Sequence, residues 1–351
     1  MIYKYLIRPI LFKIPPETVH DFFVNVGEYI GARSFYRKLI GIFYNYKSQD
    51  ISKQIDGIHF RTPVIMAAGF DNNARLTQVL SSISFGGVEV GSITIRKCEG
   101  NKTPRLKRLP LTKGLLVNKG LRNDGVEKII SRIKNKPIEK DFVLGVSIAR
   151  TNDLESSTVE KGIKDYVECL RILNKNNIGD YYTINISCPN SFGGETFTTP
   201  ELLSNLMTAL EDIKVTKPVY VKMPINLGWT EFDALLTVLD KSFIKGVIIG
   251  NLNKDYSLIH SEERPETYRG GISGEPCKSL STNLTKLTRD KYGRRFTIIS
   301  CGGIMSPHDA IEKFYAGADL VQLITGVIYK GPGLVKSICK SYAEHKKNFV
   351  N

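Results

Sequence analysis

Eight short β-rich runs constrain this chain more than any other feature of its sequence. They occupy residues 64–67, 87–91, 143–148, 181–186, 219–222, 246–249, 297–300 and 320–323, and helical patterns such as 163–174, 200–215 and 230–241 lie between them. Eight strands with intervening helices predict an α/β chain folded as a (β/α)8 TIM barrel rather than an open doubly wound sheet. No GxGxxG follows the first run, which argues further against a dinucleotide-binding fold. A chain of 351 residues is long enough for one barrel-sized domain or two smaller ones. The β/α alternation begins only after residue 55, so the chain divides into an N-terminal segment, 1–45, and a barrel, 46–351.

Polar residues and glycines collect where these runs end. Ala68-Gly69 follows the first, Ser92 the second, and Ser147 lies near the end of the third. Asn185 and Cys188 close the fourth, Lys222 the fifth, Asn251 the sixth, Gly302-Gly303 the seventh and Thr325-Gly326 the eighth. In a barrel these are the C-terminal strand ends, where active sites are built. Glycines at the seventh and eighth ends let backbone N–H groups approach an oxyanion, which predicts a phosphate site. Lys222 ends a Val-Tyr-Val run. It either extends to solvent or stabilises an anionic cofactor, and the phosphate site favours the second role.

The fourth run leads into Asn185-Ile186-Ser187-Cys188-Pro189-Asn190-Ser191, followed by Gly193-Gly194. Two amides and a thiol at a strand end can hold a planar, amide-bearing ligand beside a proton acceptor. The same residues also suit an ordinary strand edge with turn-forming Asn and Ser.

The first 45 residues have another character. Residues 1–14 mix Ile2, Tyr3, Leu6, Ile10 and Phe12 with Lys4, Arg8 and Lys13, and Pro15-Pro16 ends the segment. In the helix that follows, Val19, Phe22, Phe23, Val26, Tyr29 and Ile30 recur at helical spacing. The first segment is too short and too charged to span a bilayer, which takes about 20 apolar residues. It also lacks the small-residue cleavage site of a secretory signal. Two apolar helices with basic flanks suit an amphipathic hairpin lying in a membrane interface, or a cap on the barrel.

Composition adds three limits. A hydrophobic fraction of 42% and a charged fraction of 24% are those of a globular protein. The six cysteines show no CxxC or Cys/His metal spacing, so no metal site and reduced thiols are expected; Cys98, Cys169, Cys277 and Cys339 read as packing residues. A formal charge of +14 suits nucleic acid, an anionic membrane or a lysine-rich proteome. The lysines are spread along the chain, which favours the last.

Taken in order, the motifs resemble the dihydroorotate dehydrogenase family over nearly the whole chain. Pro16-Glu17-Thr18-Val19-His20 is similar to the N-terminal helices of its quinone-using, membrane-associated class. Ala67-Ala68-Gly69-Phe70-Asp71 resembles its first-strand cofactor loop, and Gly91-Ser92-Ile93-Thr94 its second-strand region. Asn185-Ile186-Ser187-Cys188-Pro189-Asn190 resembles its signature, Gly270-Gly271-Ile272-Ser273-Gly274 its later glycine loop, and Val321-Gln322-Leu323 through Lys330-Gly331-Pro332 its barrel closure.

The resemblance implies FMN-dependent oxidation of dihydroorotate to orotate in pyrimidine (UMP) biosynthesis. It implies electron transfer to a quinone at the cytoplasmic face of the cell membrane, peripheral attachment, and no nucleic-acid partner. Cys188 is then the general base. Ala68, Gly69, Ser92, Ser147, Asn185, Lys222, Gly274, Gly303, Thr325 and Gly326 hold FMN. Asn72, Asn185, Asn190, Ser191 and Asn251 hold the substrate, and His20 and Arg108 lie near the quinone tunnel. Several positions depart from the family pattern. Cys188 stands where the quinone-using class has Ser, and Asn72 stands where the family has a Lys contacting the substrate carboxylate. Val117 and Ser147 replace asparagines. Lys119 and Arg122, in the same loop as Val117, are candidates to restore the lost charge. The alternatives are another dihydropyrimidine as substrate, a barrel that has lost catalysis, and a tRNA-dihydrouridine synthase. The last is disfavoured because the chain runs only to Asn351 beyond the eighth run, leaving no room for an RNA-binding domain.

Overall fold

In the computed structural model, which describes residues 3–187, 197–267 and 269–349, eight parallel strands close into a barrel. They are β1 (Val64–Met66), β2 (Gly87–Ile93), β3 (Val143–Ile148), β4 (Tyr181–Asn185), β5 (Val219–Met223), β6 (Gly246–Ile249), β7 (Thr297–Cys301) and β8 (Leu320–Leu323). Each pairs with its neighbour in sequence, and β8 returns to β1. All eight strands fall on the predicted runs. Their side chains are buried on both faces, as expected when helices cover a parallel sheet from outside.

The covering helices start where the sequence supplies caps. The Thr158 and Thr199 hydroxyls accept from the N–H groups of Lys161 and Leu202 at the heads of Val159–Lys175 and Pro200–Glu211. Ser306 caps Pro307–Tyr315 in the same way. Each bond satisfies an amide that the first helical turn leaves without a partner.

The N-terminal end of the barrel is plugged. Phe60, from the hairpin Lys53–Ile55/Ile58–Phe60, packs with Ile65, Val143, Tyr181, Tyr220, Ile248, Ile299 and Leu320. The Asp56 carboxylate at the hairpin turn accepts from Tyr220 and Thr297, both at 2.8 Å. A polar layer also lies inside the barrel: the buried Glu89 accepts from Thr183 Oγ1 at 2.9 Å and Gln322 Nε2 at 3.1 Å. With this end closed, access to the interior is from the C-terminal side.

Two additions shape that side. Leu106–Leu109, Gly114–Val117 and Gly271–Gly274 form a separate antiparallel sheet, with Val117 opposite both Leu106 and Gly271. The segment 270–274, read from sequence as a glycine loop, is therefore largely a strand. The N-terminal segment holds more than a two-helix hairpin: a π-helical turn Tyr3–Ile7 leads into Arg8–Leu11, Pro16–Gly31 and a further helix, Ser34–Tyr44. Pro16–Gly31 lies close on the barrel because Gly27 and Gly31 present no side chain. A Cβ on Gly27 would come within 2.6 Å of Leu76, and one on Gly31 within 3.0 Å of the Val79 nitrogen. No helix among the described residues is long and apolar enough to cross a membrane.

Phe60 is fully buried in the plug, so Phe60→Ala should destabilise the fold by about 3–5 kcal/mol. Leu154, which is 72% exposed, should change stability by less than about 0.5 kcal/mol when replaced by Ala. Urea unfolding midpoints of the two variants check the contrast.

Candidate active site

The C-terminal mouth holds a cavity of 190 Å³ lined by both polar and apolar side chains and, beside it, a smaller one of 100 Å³. Ala68, Lys222, Asn251, Ser273 and Thr325 line both, so the two form one elongated space. The first cavity also reaches Gly69, Asn72, Ser92, Val117, Lys119, Arg122 and Asn185, and the second reaches Gly274, Gly302, Gly303 and Gly326.

A chain of hydrogen bonds fixes the polar wall. Asn185 Nδ2 donates to Ser92 Oγ at 2.9 Å, and Ser92 shares a hydroxyl contact of 2.8 Å with Ser147. From the other side, Asn251 Nδ2 donates to Ser187 Oγ at 2.6 Å, and Ser187 Oγ donates to the Lys222 carbonyl at 3.1 Å. Tyr166 donates to the Asn185 carbonyl at 2.7 Å from behind the strand. The β4–β5 register sets Asn185 directly opposite Lys222. Two amides and an ammonium therefore converge from three adjacent strand ends on one ligand volume.

The glycines at the far end are required by close packing. A Cβ on Gly303 would lie 2.3 Å from Lys278 Cα, and one on Gly326 would lie 2.1 Å from the Ile304 carbonyl oxygen. Gly302 and Gly303 both have positive φ, at 105° and 72°. Such a turn presents backbone N–H groups that suit a phosphate, with the paired hydroxyls of Ser273 and Thr325 (2.9 Å) alongside. Cys277 and Cys301 line this end too. Burial pushes the Cys277 thiol up to about 12 and raises that of Cys301, so neither serves as a base near neutrality. Cys277 is thus a cavity residue as well as a packing residue.

Lys119, Arg122 and Lys222 line the larger cavity, and no Asp or Glu does among the described lining residues. Lys119 Nζ donates to the Gly69 carbonyl at 3.0 Å; burial outweighs the favourable field of Asp21 and brings its ammonium down to about 8. His20 Nε2 lies 2.9 Å from the Phe70 carbonyl, a contact in which the ring N–H must donate. Burial first, and Lys119 second, lower its imidazole to about 4, so the ring is neutral at pH 7.

A third cavity, of 330 Å³, lies between the N-terminal helices and the barrel. Leu11, Phe12, Val19, Phe23, Val26 and Ile30 form its helical side, while Met66, Phe70, Val79 and Ile328 form its barrel side. Its polar features include His20 and Arg108; the Arg108 guanidinium donates to the Ile14 carbonyl at 2.6 Å and stacks 4.8 Å from the Phe12 ring. His20, Phe70, Leu106, Leu115 and Ile328 line both this cavity and the larger mouth cavity. The two spaces thus share a wall one side chain thick.

Of the residues singled out from sequence, Ala68, Gly69, Asn72, Ser92, Asn185, Lys222, Asn251, Gly274, Gly303, Thr325 and Gly326 all line the mouth. Ser147 touches it through Ser92. Cys188, Asn190, Ser191 and Gly193-Gly194 lie outside the described residues. The antiparallel sheet's contribution, through Leu106, Leu115 and Ser273, was not foreseen as cavity wall, although Gly114–Val117 carries the apolar signature of a strand. A grouping of possible metal ligands, His308, Asp309 and Glu312, sits on an outer helix, where Lys278 bridges the two carboxylates at 2.6 and 2.8 Å.

A closed barrel whose C-terminal mouth gathers glycine turns, a lysine on the fifth strand and converging amides has the layout of a TIM-barrel enzyme. Residues 50–345 match the model of the dihydroorotate dehydrogenase family. The chain is 33% identical to the dihydroorotate dehydrogenase (quinone) of Christiangramia forsetii, over 97% of this chain and 99% of that one. It is 34% identical to the enzyme of the same name from Aliivibrio fischeri, over 96% and 99%. The crystal structure of DHODH from Eimeria tenella in complex with ferulenol superposes with a TM-score of 0.80 at 25% identity, covering 95% of this chain and 92% of that one. The chain belongs to the dihydroorotate dehydrogenase family, and membership implies a flavin cofactor.

Because His20 is held neutral, its folded pKa lies below the unfolded value. The unfolded chain then binds more protons, and stability should fall as pH drops from about 6.5 toward 4. Denaturant midpoints across that range should show a shallower acid slope for His20→Asn than for the parent chain.

Proposed function

We propose that this chain oxidises dihydroorotate to orotate with FMN as its flavin and passes the electrons to a membrane quinone. The observation that carries the reading is the shared wall: a cavity lined by cationic and amide side chains backs directly onto an almost wholly apolar one. The glycine turns at 302–303 and 326, with Ser273 and Thr325, suit the FMN phosphate, and a bound flavin supplies the hydride acceptor. Lys222, which lines both parts of the mouth, would stabilise negative charge on a bound flavin. Asn185 and Asn251, each able to donate and accept, suit the imide edge of a dihydropyrimidine, with Asn190 and Ser191 in the same role. Cys188 takes the proton from C5 while a hydride leaves C6, and the C5=C6 double bond of orotate forms.

The apolar cavity takes the quinone, reached between the N-terminal helices, with His20 and Arg108 at its polar end. Phe22, Phe35, Ile42 and Phe43 project outward from these helices, and Lys13 and Lys38 flank them. An apolar face rimmed by basic residues suits peripheral attachment to the anionic cytoplasmic face of the membrane. The relatives found over nearly the whole chain are quinone-type dihydroorotate dehydrogenases. This removes the motive for a tRNA-modifying enzyme.

Separated half-reactions test the reading. The purified protein should be yellow, and dihydroorotate should bleach it anaerobically. Cys188→Ala should slow bleaching by about 10²-fold or more. Val19→Trp, which fills the apolar cavity, should leave bleaching intact and slow reoxidation by a short-chain quinone about tenfold or more. A flavin-loaded protein that dihydroorotate does not bleach would remove the substrate assignment. Equal loss of both half-reactions in Val19→Trp would remove the quinone assignment for this cavity.

A further inference from the structure

Three side chains that carry positive charge, Lys119, Arg122 and Lys222, line the larger mouth cavity. Lys222, on β5, lines both the larger cavity and the glycine-rich end. Arg122 is about half exposed and faces Asp21 at 3.9 Å. Lys119 differs from both. It lines the larger cavity alone, away from the glycine turns, and projects from the loop that follows Gly114–Val117. Its ammonium has three donors, and the hydrogen bond to the Gly69 carbonyl uses one. No carboxylate lies within ion-pair distance of it among the described residues. The acids whose fields reach it, Glu17 and Asp21 on Pro16–Gly31, are engaged with Arg105 at 3.6 Å and with His20 and Arg122. Asn72, in the loop after β1, and Val117 line the same cavity, and neither supplies a charge.

A part-buried ammonium with free donors and no counter-charge among the described residues is costly unless a ligand completes it. We infer that Lys119 is the residue that receives the anionic group of the substrate, pairing with the carboxylate from the loop side of the cavity while Asn185 and Asn251 hold the ring amides. This rests on the substrate reading above and adds the residue that selects a charged dihydropyrimidine over a neutral one. The hydrogen bond to Gly69, in the loop that follows β1, gives the ammonium a fixed position, so little side-chain entropy is lost on binding.

The pH behaviour follows from the groups around it. Glu17 and Asp21 on the facing helix favour the charged form; Arg105 and Arg122 on its own side disfavour it, and the neighbouring His20 is neutral. With the ammonium at about 8, anion affinity should be full below that pH and fall as pH rises through it. An arginine at 119 stays charged and should flatten the profile.

The test uses the flavin-loaded full chain and two ligands of one shape: orotate and its uncharged methyl ester, each titrated by the change in flavin absorbance. Lys119→Met should weaken orotate about ten- to a hundredfold, the worth of a charge-assisted hydrogen bond, and leave the ester nearly unchanged. Lys119→Arg should restore orotate binding and remove its decline above pH 8. Unchanged orotate binding in Lys119→Met would overturn the inference. So would an equal loss of both ligands, which would mark Lys119 as a brace for the Gly69 loop. A parent chain that holds flavin yet neither binds orotate nor is bleached by dihydroorotate would overturn the substrate reading itself, and this inference with it.

Discussion

Positive charge gathered in one cavity without an acidic partner among the described lining residues is the constraint on which this molecule's chemistry depends. Lys119 and Lys222 enter the mouth from a loop and from the fifth strand, and no carboxylate among the described lining residues answers them. Folding alone would not favour that arrangement, since each ammonium gives up water without gaining a counter-charge among the described residues; Lys119 has only the Gly69 carbonyl. On the proposed reading, anions that arrive from solution complete it. The glycine turns lie at one end of the slot and Lys119 at the other, with amides between them, and the proposal assigns an anion to each. A phosphorylated cofactor and a carboxylated ring, placed side by side, match that spacing of charge.

The barrel makes this possible through its closure. Eight parallel strands bring residues from distant parts of the chain to a single rim, and the β4–β5 register alone sets Asn185 against Lys222. The plug of Phe60, Tyr181 and Tyr220 seals the opposite end, so the rim is where ligands enter. The N-terminal helices then add a second compartment of opposite character. His20 and Phe70 belong to both walls, and the His20–Phe70 hydrogen bond at 2.9 Å ties the helix to the cofactor loop. With substrate and quinone in the two compartments, as proposed, only the shared wall would separate them.

Much of this was legible in the sequence because buried parallel strands are apolar throughout and stand out between helices. The residues just beyond them, from Ala68 to Thr325, follow once the barrel is recognised. Other features depended on contacts between remote segments. Gly271–Gly274 reads as a loop until Gly114–Val117 pairs with it. Glu89 looks out of place in an apolar strand until Thr183 and Gln322 close around it. The Ser34–Tyr44 helix does not stand out in the sequence as a separate element, because only Ala32-Arg33 separate it from Pro16–Gly31 and no proline or glycine-rich turn marks the break. Asn72 and Val117 were visible as departures, but the position of Lys119 against Gly69, which gives them meaning, required the fold.

The central claim, two anion positions on one slot, is most directly tested by a crystal structure of the chain with FMN and orotate. The account predicts the FMN phosphate against Gly303 and Gly326 and the orotate carboxylate within hydrogen-bond distance of Lys119 Nζ. A carboxylate turned toward Asn72 and away from Lys119, or a phosphate bound away from the glycine turns, would contradict it.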